Sequence, residues 1–137
     1  MPNPRVSTNL ASVARVRTLG AIRMALLAGV LAFGALTWLM RRRGAVSVPP
    51  DVAPLRVMLA VMWALAVTSI VAFRTLFGRT SDLARRARLS IFGWAAGEAP
   101  ALIGGVYYLM TGDAGWYAAG VLLLVATFVV FPLRPRE

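Results

Sequence analysis

One carboxylate stands where carboxylates are expensive. The stretch Leu89–Gly112 (LSIFGWAAGEAPALIGGVYYLMTG) is long and apolar enough to cross a membrane, and Glu98, near its middle, is its only acidic or basic side chain. Burying a charge at that depth costs at least ~2.5–3.5 kcal/mol on insertion scales, so Glu98 is expected to face protein, a partner or water rather than lipid. Two residues on, Pro100 lacks the N–H that would satisfy the Ala96 carbonyl, which leaves a bare acceptor and a kink beside the carboxyl group. A protonated Glu98 could donate into that polar pocket. Two chemistries fit: a proton- or cation-linked carboxylate, or a neutral Glu holding a structural hydrogen bond.

Candidate hydrogen-bond partners on other spans are few. Thr68 and Ser69 in the second apolar run fall within roughly 6 Å of the depth of Glu98, about one helical turn. Thr127 in the fourth run has a depth similar to Thr68. Arg23, at the edge of the first run, would have to stretch inward to make an ion pair. A Ser/Thr or backbone partner therefore ranks ahead of the Arg.

The same run carries a packing signal. Gly93, Gly97, Ala101 and Gly105 recur every four residues, with Ala96, Pro100 and Gly104 in a parallel stripe. Small side chains at this spacing let another backbone approach closely, which is how helices associate in lipid. Glu98 is rotated ~100° from the Gly97 stripe, so it flanks this contact surface.

The elements that must position these residues are legible from hydropathy. Of the 137 residues, 59% are hydrophobic, and the mean hydropathy is +0.73, more apolar surface than a soluble domain of this size hides. Four apolar runs account for it, giving an all-α membrane protein: a single domain, 1–137, of four transmembrane helices in an antiparallel bundle, with spans at about 20–40, 55–73, 87–111 and 116–132. An uncleaved first span is expected, because Arg41-Arg42-Arg43 separates it from the cleavage-like Ala45-Val46-Ser47. From Asn9 the chain either extends that helix backwards or lies along the interface, with Leu10, Val13 and Val16 toward lipid. Pro49, Pro50 and Pro54 make the first connection a loop, and the second span starts after Pro54. Ser81-Asp82 reads as an N-cap, so the third helix begins before the membrane and is expected to be the longest. Gly112–Gly115 is a tight turn that joins spans three and four as a hairpin.

All basic residues are Arg, and the net charge is +10. They cluster at the ends of the apolar runs, where topology and anionic lipid explain them; no nucleic-acid motif accompanies them. Arg5, Arg15, Arg17, Arg23, Arg74, Arg79, Arg85, Arg86, Arg88, Arg134 and Arg136 outnumber Arg41, Arg42, Arg43 and Arg56, which puts both termini in the cytoplasm. The Arg41–Arg43 triplet then lies outside, against headgroups or a partner's acidic surface, as Arg85, Arg86 and Arg88 do inside. Trp38, Trp116 and Tyr117, with Tyr107 and Tyr108, would form the outer aromatic belt.

Much chemistry is excluded. With no Cys and no His there are no disulfides, thiolates or usual zinc and haem ligands. The remaining acids, Asp51, Asp82, Asp113 and Glu137, lie in connections or at the end, so no catalytic residues, metal site or enzyme is expected. No cofactor is expected either; a lipid, quinone or carotenoid near Trp63, Trp94 and Tyr107 is the weakest of the readings.

The segment RLSIFGWAAGEAPALIGGVYYLMTGD resembles, over about 25 residues, the carboxylate helix of rotary ATPase proteolipid subunits, where a Glu is followed by Ala/Pro and Gly. Those proteins carry a Gly-rich repeat on the preceding helix, whereas VMLAVMWALAVTSIVAF here has no Gly. The whole chain resembles uncharacterised bacterial four-span proteins with a basic first helix, a Pro-containing loop, a Glu-x-x-Ala third helix and a Phe-Pro-x-Arg ending, here Phe131–Arg134. The expectation is a non-enzymatic, multi-pass protein of a bacterial inner membrane, an accessory or assembly subunit that meets other membrane subunits or itself and anionic lipids. The alternative is a small proton- or ion-linked channel or transporter centred on Glu98.

Overall fold

The computed structural model describes residues 4–44 and 51–132, with side chains from Ala14 onward except Arg15. The described residues form four helices: α1 (Pro4–Arg42), α2 (Ala53–Arg79), α3 (Leu83–Thr111) and α4 (Gly115–Val130). The Pro49-Pro50 connection, the Ala45–Ser47 segment, the Leu10 and Val13 side chains and the Leu133–Arg136 tail lie outside the described residues.

Three helices, α1 from Val16, α2 and α3, are long and apolar enough to cross a membrane. The expected fourth span is shorter: α4 has 16 residues, about 24 Å at ~1.5 Å per residue, against a hydrocarbon core of ~30 Å. The longest helix is α1, with 39 residues against 29 for α3. This corrects the expectation for α3. Arginine bounds an apolar span but does not stop a helix, and nothing between Arg5 and Arg42 forbids helical backbone. Likewise α2 begins at Ala53 with Pro54 in its first turn, where the missing N–H costs nothing.

Local chemistry sets the other boundaries. Asp82 is the N-cap of α3, and its Oδ1 accepts from the Ala84 N–H at 2.9 Å. Gly112 closes α3 in the left-handed region, φ 83°, with its N–H donating to the Tyr108 carbonyl. Asp113 Oδ1 then accepts from the Gly115 N–H, so the turn into α4 is built from side-chain oxygen and glycine together.

Helix α3 is the hub. It packs on α4 most extensively, then on α2 and on α1; α4 also touches α1, whereas among the described residues α1 and α2 share at most a marginal contact. Half of the apolar window of α3 is buried, against 11% for those of α1 and α2. Trp94, Ala101, Leu124, Phe128, Phe131 and Val30 form the centre of the core. Aromatic pairs tie α2 to α4 at both ends: Trp63 on Trp116 and Phe77 on Phe131.

Candidate functional site

Each flank of α3 can be assigned from what touches it, with successive residues ~100° apart around the axis. One flank receives α4. A Cβ on Gly97 would meet the Thr127 methyl at 2.7 Å, one on Gly104 the Trp116 carbonyl, and one on Gly93 the Phe131 ring. A second flank receives α1: Trp94 lies under the Arg23 guanidinium, and Gly105 is covered by Phe33. A third receives α2, through Phe92 on Phe73 and through Tyr107, whose hydroxyl accepts from Arg56 Nε.

The small-residue stripe is therefore occupied within the chain. Gly93 and Gly97 seat α4, Ala101 takes the close approach of Gly120, and Gly105 takes Phe33 of α1 and Tyr117 of α4. The parallel stripe serves the same hairpin through Pro100 and Gly104, both buried.

The fourth side of α3 is open. Ala95 and Val106 are exposed there; half-buried Ala99 borders them on the α2 side, on the stripe of Phe92, and half-buried Leu102, packed on the core, borders them toward α1. By their angular position these residues form a strip of α3 between the α1 and α2 flanks. Glu98 is half-buried and, by its angular position, sits between the α1 flank and this strip. Among the described residues, no hydrogen bond or ion pair engages its carboxyl group.

Thr68 is exposed and Ser69 half-buried. Both belong to α2, which packs on the flank of α3 away from Glu98, and no hydrogen bond joins either to it. Thr127 is buried against Gly97 and donates to Leu124 of its own helix at 2.6 Å. Arg23 reaches inward but places its guanidinium 4.5 Å from the Phe128 ring centroid and 5.7 Å from that of Trp94, a cation–π arrangement. Trp94 Nε1, fully buried one turn before Glu98, has no hydrogen-bond partner among the described residues. Trp63, Trp94 and Tyr107 are not gathered at one place; their neighbours are Trp116, Phe128 and Arg56 respectively.

The arginines near the Gly112 turn have structural work that their sequence positions do not announce. Arg41 Nη1 donates to the Leu109 carbonyl at 3.1 Å, satisfying an acceptor that the end of α3 leaves open, with its charge at the favourable pole of the helix dipole. Arg42 stacks on Trp38 at 4.1 Å, and Arg43 is exposed. At the other end, Arg86 Nε donates to the Thr80 carbonyl at 2.7 Å, while Arg85 and Arg88 are exposed. Two of the belt aromatics turn inward: Tyr107 is buried, and Tyr117 donates its O–H to the Val30 carbonyl at 2.9 Å. These inward bonds were not legible, because Tyr and Arg near a span end also suit an interface. No family model matches this chain, and neither a curated relative nor a solved structure shows significant similarity to it.

Proposed function

We propose that this protein is a non-enzymatic, multi-pass protein of a bacterial inner membrane, with cytoplasmic termini, that serves as an accessory or assembly subunit by receiving a partner helix between α1 and α2. The observation that carries this reading is the open side of α3, small at Ala95 and Ala99, with Glu98 beside it. A carboxyl group at that depth needs a donor, and a bare lipid face offers none. The glycine stripe is already used within the chain, so the open side of α3 and not that stripe is the surface left for another subunit. The partner is a transmembrane helix with small residues at its contact and one polar donor or cation facing Glu98.

The test is extraction from native membranes in mild detergent, followed by identification of co-purifying proteins and crosslinking from Ala95 or Ala99. A partner helix crosslinked at those positions supports the reading. A lone monomer that crosslinks only to lipid defeats it.

A second reading, a proton- or ion-linked channel or carrier centred on Glu98, is favoured by one observation: the unpartnered Trp94 Nε1–H lies one turn away on the same helix. It predicts that Glu98→Gln abolishes flux in proteoliposomes while the helices stay folded.

A further inference from the structure

At the α2–α3 corner two guanidinium groups from different helices converge on one ring. The Arg74 Cζ lies 5.6 Å, and the Arg86 Cζ 5.4 Å, from the centroid of Phe77. The ring itself is held edge-on against Phe131 at 5.8 Å. Arg86 is further fixed through Nε to the Thr80 carbonyl, and among the described residues its terminal amino groups make no hydrogen bond. Arg79 and Arg85, both exposed, add positive charge on either side. Both guanidinium groups lie within 5.6 Å of the same ring centroid, so positive charge collects at this corner, and its mutual repulsion grows where lipid lowers the dielectric. The nearest acid in sequence is Asp82, whose Oδ1 caps the Ala84 N–H. Among the described residues no carboxylate pairs with Arg74 or Arg86.

We propose that Arg74 and Arg86 clamp the phosphate of an anionic phospholipid headgroup at this corner, a defined lipid site rather than diffuse attraction to the membrane surface. The inference rests on the membrane placement of α2 and α3 but not on a partner helix at Glu98. Guanidinium forks match phosphate oxygens in paired hydrogen bonds, and stacking on Phe77 positions them before the lipid arrives, which lowers the ordering cost of binding. Phe77 and Phe73 lie next to where the acyl chains would run. A headgroup carrying net negative charge would relieve the repulsion that a zwitterionic one leaves.

The experiment places the full-length protein in phosphatidylcholine nanodiscs with and without phosphatidylglycerol, and counts lipids retained by native mass spectrometry. The expected result is one preferentially retained phosphatidylglycerol, reduced about tenfold in Arg74→Gln/Arg86→Gln and unchanged in Arg42→Gln/Arg43→Gln, which removes equal charge at the opposite end. Helix content by circular dichroism checks folding; should the double variant unfold, Arg74→Gln alone, at an exposed position, carries the same comparison. Equal retention of both lipids, or retention unaffected by the Arg74 and Arg86 changes, overturns the proposal. So does an inorganic phosphate retained in phosphatidylcholine discs to the same count as phosphatidylglycerol, which would mark a free-phosphate site.

Discussion

Gly120 of α4 lies directly on the backbone of Ala101 in α3: an added Cβ would overlap Ala101 Cα and stand 2.7 Å from the Pro100 carbonyl carbon. Backbone atoms cannot rotate away as a side-chain tip can, so the two helices must separate to admit a methyl group. Gly120→Ala is therefore expected to destabilise by ~1–3 kcal/mol, the usual range for overpacking. Gly29→Ala in α1, where nothing lies within 4 Å, is expected to be neutral or mildly stabilising through helix propensity. Thermal or SDS unfolding in detergent micelles compares the two. Equal loss at both sites would mean that the α3–α4 hairpin is not packed backbone to backbone.

The Arg41 bond to Leu109 predicts a local effect. Arg41→Gln shortens the side chain and removes the charge at the carboxyl end of α3, so the last turn loses an acceptor's partner and a favourable dipole contact. The expected cost is about 1 kcal/mol, given the part-buried geometry. Hydrogen–deuterium exchange should rise in the segment around Gly112, whose backbone already takes the only left-handed conformation in that turn, and stay level in the α2–α3 connection. Uniform exchange across the chain would remove the capping role.

These two relationships show what a single sequence can and cannot disclose here. The Asp82 cap, the Gly112 turn and the close-packing character of Gly93, Gly97, Ala101 and Gly105 were readable because each is decided by residues a few positions apart. What sits on the stripe was not readable, since a small-residue face fits any helix and only the fold assigns it to α4 and, at Gly105, to Phe33 of α1 as well. The length of α1 was left open, with backward extension from Asn9 one of two readings, because hydropathy reports where an apolar span ends, while helical backbone continues through Arg15 and Arg17. Glu98 was identifiable by type and depth alone. Its neighbours were not, because Thr68 and Ser69 match it in depth but belong to the helix on another flank of α3.

Tyr117 offers a third measurement. Its hydroxyl donates to the Val30 carbonyl, and its ring closes against Gly34 and Gly105. Tyr117→Phe keeps the ring and removes only the hydrogen bond, so the expected loss is ~0.6 kcal/mol and no more than about 1.7, the range for bonds between membrane helices. Gly34→Leu, which would collide with the phenol itself, should cost more and detach α1 from α4. Steric trapping or reversible SDS unfolding resolves both, and a Tyr117→Phe variant less stable than Gly34→Leu would contradict this geometry.

The glycine stripe and the open side of α3 predict opposite phenotypes for similar substitutions at neighbouring positions. Gly97→Leu drives a side chain into Thr127 and the Leu124 backbone, whose Cα lies 3.2 Å from where the new Cβ would stand, so it should unfold the hairpin whether or not a partner exists. Ala99→Leu places a side chain of the same size on the open side of α3, at its α2 border, where the residue is only half-buried. It should leave thermal stability within ~0.5 kcal/mol of the parent, as substitutions away from packed contacts usually do, while expelling a docked helix. Glu98→Leu removes the polar anchor without covering the open side, and should weaken association with little change in folding. Size-exclusion profiles in mild detergent and unfolding curves, taken on all three variants, read the two properties separately. If Ala99→Leu lost stability as Gly97→Leu does, this side would be a closed internal interface; if it kept both stability and assembly, no partner helix would lie against α3.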